Sequence, residues 1–405
     1  VRRFNARQSR YRVRAVAMPG ANLDLKLLLS VAGGDPPDVM NHDEPVVGDW
    51  ASRGVLTPIE ELASPAEMAD LGAWLLPAAA AIGRRRDRMY ALVNGLDVRA
   101  LYFNKTALRA AGLADLAERG PRTLADLDRI AATIAPPGGG GGLDRVGYLP
   151  DPRRLWAWGV VFGGSFGDPL AEDPTRAVTP DDPGVVAALE WMAGYRDRYG
   201  PDRLAAFRSG DQALTGASFP LLADRRYAVL MDGQWRVRDL AEAAAASNAR
   251  GGSLDEFGVC PLPPPPGGVA DAGWVNANYF LVPRGARNAA GAWEFMKFWC
   301  GFGGAEEDAA ETAVAGGWIP ASRAVIDRPR FQRALDKRPL MREFVRLASS
   351  ASQRPTPALP VAGAYYREVV AAAQDTLYRG DEPRARLKLA AQRVQARLIA
   401  ASGRG

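Results

Sequence analysis

Between residues 25 and 58 the pattern of the chain changes abruptly, and that change restricts its fold more than any other feature. Leu25, Leu28, Leu29 and Ala32 recur at helical spacing, and Gly33 supplies a stop. The chain then turns through Asp35-Pro36-Pro37-Asp38, runs briefly through apolar Val39 and Met40, and emerges in polar Asn41-His42-Asp43-Glu44. Upstream, Tyr11, Val13, Ala15 and Ala17 alternate with Arg12 and Arg14, which predicts a strand up to Met18. Strand, helix and short buried strand make a βαβ unit, which belongs to an α/β sheet. Open sheets of this kind bind ligands beyond the carboxyl ends of their strands, where the 41–44 loop would lie.

The same alternation continues. Leu96 to Asn104 reads as a strand, with a helix from Lys105 to Ala111. Thr123 and Asp126 resemble a capping box, and Leu127, Ile130 and Ile134 mark the buried side of the helix that follows. Pro136 to Gly142 is a low-complexity loop. Trp156-Ala157-Trp158 through Val161 is apolar and ends at Gly163-Gly164. Asp182-Pro183 opens a helix with proline at its first position. Strands are predicted over 227–231, 257–262 and 274–282, and Asn288 caps a helix carrying Phe295, Met296 and Trp299. From about residue 326 only helices are expected. The run Pro263 to Gly268 suits a stiff connector.

A chain of 405 residues exceeds one ordinary core, so two lobes are expected. The net charge of +5 is spread along the sequence, and the cluster Arg84-Arg85-Arg86-Asp87-Arg88 reads as a solvated face without the aromatic and glycine pattern of nucleic-acid readers. One histidine, His42, and two cysteines, Cys260 and Cys300, argue against zinc clusters and against Ser-His or Cys-His nucleophilic sites. No cofactor is expected. The longest apolar run, Leu71 to Ile82, contains Pro77 and is too short to span a bilayer. The chain shows no signal peptide and begins with valine, so it reads as processed or partial, and the missing leader does not argue for the cytoplasm.

Five segments, in order, carry a resemblance. They are Gly34-Asp35-Pro36-Pro37-Asp38-Val39, Gly54-Val55-Leu56-Thr57-Pro58-Ile59, Leu101-Tyr102-Phe103-Asn104-Lys105, Tyr227 through Trp235, and Asn288 through Phe298. With this order and spacing the chain resembles the family 1, maltodextrin-binding-like solute-binding proteins of ABC importers. The resemblance implies a type II periplasmic-binding-protein fold: two α/β lobes, a ligand cleft between them, hinge closure and a helical C-terminal region. It implies an N-terminal lobe of residues 1–98 plus 272–317 and a second lobe of 99–271 plus 318–405. Relatives open with a strand that precedes the helix ending near Asn5, so that strand and any site residue on its loop are expected to be missing here. The implied protein is a monomeric, non-catalytic periplasmic or lipid-anchored receptor. Its partners would be a carbohydrate and the membrane subunits of an importer.

Sugars offer hydroxyl edges and C–H faces, so carboxylates, amides and indoles are the side chains sought. The family pattern and local alternation together single out Asp43, His42, Asp97, Trp156, Trp158, Trp235, Trp274, Asn276, Trp318 and Arg354. Of Trp156 and Trp158, at least one is expected to form an open aromatic platform. Alternation places Trp274, Asn276 and Asn278 on one strand face. Two other readings stay open: a glycoside hydrolase using Asp43 and Asp97 as a carboxylate pair, or the same receptor fold holding a polyamine, glycerophosphodiester or peptide, the phosphodiester calling for arginines such as Arg99 or Arg354.

Overall fold

The computed structural model describes residues 1–17, 23–43, 45–136, 142–211, 214, 216–223 and 225–402. The predicted 137–141 loop, Met18 and Glu44 lie outside the described residues. The chain forms two compact units: 1–96 with 276–334 and 358–363, and 97–275 with 335–357 and 364–405. The chain therefore changes unit at Leu96/Asp97 and Val275/Asn276, inside the strands Ala91–Asn104 and Gly273–Leu281. The sequence boundaries were set two residues later for the first crossing and four earlier for the second. Residues 318–334 belong with the first unit.

In the first unit the short strand Met40–His42 pairs antiparallel with Gly273–Leu281, Met40 opposite Leu281 and His42 opposite Tyr279. Its preceding helix, Leu23–Ala32, ends with Gly34, not Gly33, in the left-handed conformation (φ 72°). The predicted strand over 11–17 makes no ladder. The Asn5 amide takes the place of a neighbouring strand, donating to the Val13 carbonyl and accepting from its N–H. Asn288 begins the helix Ala289–Cys300 but does not cap it. Its backbone N–H and side-chain amide both donate to Asp38.

The second unit is built on residues 97–104 of the strand Ala91–Asn104, which is buried along its whole length. Val229–Gly233 flanks it on one side and Phe257–Cys260 on the other, both antiparallel. The capping box is present: Thr123 Oγ1 accepts from Asp126 N–H, and Asp126 accepts from Thr123 N–H. The helices Pro183–Tyr199, Leu340–Ala348, Ala362–Arg379 and Pro383–Ser402 follow the predicted order. Leu155–Val161 is also a helix, which changes where its tryptophans point. Cys260 and Cys300 are both buried and free. No helix among the described residues is long and apolar enough to cross a membrane.

Candidate functional site

The strand Ala91–Asn104 carries Asn94, Asp97 and Arg99 within an otherwise apolar run, and all three are buried. Buried polar groups need partners, so their surroundings show what this part of the strand is built to do. Ladder register sets Arg99 opposite Gly233, and the next residues turn into Gln234 and Trp235. Gln234 extends the sheet with its side chain: Oε1 accepts from Val98 N–H at 3.1 Å, and Nε2 donates to Asp97 Oδ1 at 2.8 Å. A hydrogen bond to a charged acceptor contributes roughly 1.5–3 kcal/mol, so Asp97 is held in place.

Arg99 packs against two indoles. Its guanidinium carbon is 4.8 Å from the Trp235 ring centre and 4.9 Å from that of Trp274. Trp274 is only 5% exposed, because its other neighbour is Tyr366, stacked at 5.8 Å and 25°, and its Nε1 donates to Thr356 Oγ1 at 3.1 Å. Trp235 is half-buried and lies against Gly233, where a Cβ would come within 2.1 Å of its ring. Glycine at 233 is what lets the indole lie down on the strand end. Beside this group, Asp232 accepts from Gly233 N–H at 2.8 Å, Arg236 Nε at 2.9 Å and, more loosely, Arg154 Nη2 at 3.4 Å.

Trp156 and Trp158 do not form the open platform the sequence suggests. A helix, unlike a strand, carries both into the interior, at 1% and 0% exposure. Trp156 stacks on Phe166 at 4.1 Å, and Trp158 meets Trp191 edge-on at 4.6 Å. Arg354 is exposed, opposite Trp274 in a short parallel pairing, and its guanidinium donates to the carbonyls of Ala351 and Gln353.

In the first unit, His42 is buried, edge-on to Trp50 at 5.1 Å, and its Nδ1 accepts from Asp43 N–H at 2.9 Å. The imidazole thus fixes the loop from inside, and Asp43 is exposed at its tip. The Asp43 carbonyl accepts from Asn276 Nδ2 at 2.7 Å. Trp318 is half-buried across Gly316 and Gly95, where a Cβ would come within 2.7 and 3.0 Å of it. Asn94 Oδ1 is buried with no hydrogen-bond partner.

Sequence reasoning gave no site role to Gln234, Tyr366 or Asn94, and it named Arg99 only as a contact for a phosphodiester. The available signal was the placement of Asn94, Asp97 and Arg99 inside a strand too apolar to tolerate them without a purpose.

The family model described as bacterial extracellular solute-binding protein matches residues 1–301. Several solved structures are similar over nearly the whole chain. CpMnBP1 with mannotriose bound is 23% identical, covering 96% of this chain and 94% of that one, at a TM-score of 0.79. The sugar-binding protein MalE of Xanthomonas citri is 18% identical, covering 98% and 93%, at 0.76. The GacH receptor of Streptomyces glaucescens, solved unliganded and with acarbose, is 21% identical, covering 98% and 92%, at 0.72. The fold is the two-lobed α/β fold expected from the sequence.

Proposed function

Because the chain belongs to the bacterial extracellular solute-binding protein family, we propose that it is an extracytoplasmic receptor that binds a carbohydrate, without altering it, for delivery to an ABC importer. The observation that carries this reading is the half-buried Trp235 beside the fixed Asp97–Gln234 pair. An indole supplies apolar surface for a sugar face, and a held carboxylate accepts from neighbouring hydroxyls. The saccharides bound in two of the similar structures, mannotriose and acarbose, support the same class. In the first unit, Asp43, Asn276 and Trp318 are of the types that read hydroxyls and ring faces. Periplasmic residence, a lipid anchor and a monomeric state form part of the proposal.

The test is a thermal-shift series with mannotriose, maltotetraose and monosaccharides, repeated by calorimetric titration on any responder. A ligand held at 100 times its Kd stabilises the native state by about 2.7 kcal/mol. At least one saccharide is expected to raise Tm, Trp235→Ala is expected to abolish the rise, and chromatography of the mixture should show intact sugar. A flat response to every saccharide sinks the reading, and cleavage products sink its non-catalytic part.

A further inference from the structure

Arg99 is 6% exposed, and no described residue gives its guanidinium a hydrogen bond or an ion pair. Nε and Nη1 are buried with no acceptor at all. The two indoles supply cation–π attraction but no acceptor. A buried guanidinium with no direct ion pair costs more than that attraction returns. Burial, assisted by the charge on Arg154, pulls the Arg99 pKa down to about 10 against the opposing influence of Asp97, Asp232 and Tyr366. The nearby carboxylates Asp97 and Asp232 act on Arg99 through space but form no ion pair with it. Asp97 accepts from Gln234, and Asp232 accepts from Gly233, Arg236 and Arg154. Arg154 Nε also lacks an acceptor. Two guanidiniums in one neighbourhood thus carry unused donors, and the Arg99 guanidinium packs against both Trp235 and Trp274, the former still half-open to solvent.

A planar, rigidly held guanidinium matches a carboxylate, whose two oxygens accept from two of its N–H groups at once. A hydroxyl offers one acceptor and no charge. A cationic ligand would face Arg99 across a medium of low polarity. Resting on the carbohydrate reading above, we propose that the ligand is an acidic saccharide, a sugar bearing a carboxylate, and that Arg99 is the residue that selects it. The ring of that sugar meets Trp235, and its carboxylate takes the donors that the protein leaves without acceptors.

The test titrates the intact protein with digalacturonate, its neutral counterpart galactobiose, a sugar phosphate, and free acetate. Digalacturonate is expected to bind at least 100-fold tighter than galactobiose. Arg99→Met should remove that preference, and Arg99→Lys, which keeps charge but not the paired donors, should retain part of it. Circular dichroism and Tm of each variant verify folding. Loss of the unpaired charge should leave Arg99→Met no less stable than the parent. Galactobiose binding as tightly as digalacturonate overturns the proposal while the carbohydrate reading stands, and so does a preference that survives Arg99→Met. If both variants fail to fold, rising salt decides on the parent protein: an advantage of digalacturonate that does not weaken counts against the proposal. Binding of the phosphate alone moves the anion from carboxylate to phosphate and overturns the uronate assignment. No response to any sugar overturns both readings.

Discussion

Replacing Glu67 with glutamine separates charge from shape in one of the first unit's structural joints. Ser64 and Glu67 form a capping box at the start of the helix Pro65–Trp74. The Glu67 carboxylate also accepts from Lys297 Nζ at 2.7 Å, tying that helix to Ala289–Cys300. The Lys297 bond, with the Ser64 backbone N–H, holds the Glu67 pKa down at about 2 against an ordinary 4.5. At 1.36 kcal/mol per pH unit, such a depression is worth about 3 kcal/mol if unscreened. The side chain is 32% exposed, so solvent and salt reduce this to about 1 kcal/mol. The folded pKa is the lower one, so the stabilisation is complete above the unfolded value near 4.5. It is lost as pH falls through the folded value near 2. Glutamine keeps the box's geometry, since Gln serves at this position as Glu does. Urea unfolding of parent and Glu67→Gln should therefore differ by about 1 kcal/mol at pH 7, and the gap should close as pH falls from 4.5 towards 2. The same closure should follow from adding 1 M salt at pH 7. A gap that stays constant with pH would mean that packing or cap geometry, not the ion pair, carries the effect.

Three other outcomes follow from the packing. Gly147→Ala should destabilise the second unit by about 3 kcal/mol in urea unfolding, because the new Cβ would lie 2.2 Å from the Ile130 carbonyl oxygen; a stable variant would mean that the helix Leu124–Ile134 can shift. Thr123→Ala should cost about 1 kcal/mol through loss of the bond from Asp126 N–H, with Asp126→Asn acting in the same direction because Arg119 grips that carboxylate at 2.8 Å through two nitrogens. Burial raises the thiol pKa of both Cys260 and Cys300, so a thiol reagent should react slowly with the native protein and rapidly with two groups after denaturation; fast native labelling would place a thiol at the surface.

Much of the fold was readable because it is written locally. A helix period, a proline at a first turn, or a Thr three residues before Asp acts within one turn of chain, and the helix beginning at Pro183 and the capping box at Thr123 formed where those signals stood. The unpaired 11–17 segment was not readable, because alternation shows which face a strand would bury and not whether a neighbour is present to pair with it. The two tryptophans at 156 and 158 were misjudged for a related reason. Spacing two apart separates faces only after the period is known, and tertiary packing chose a helix. The sequence by itself determined the α/β class, the order of the elements and the oddity of charged residues in an apolar strand. Only the tertiary structure brought Trp235 and Trp274, 136 and 175 positions beyond Arg99, against its guanidinium. Pairing across a sheet depends on register between distant segments, and no local propensity encodes that register.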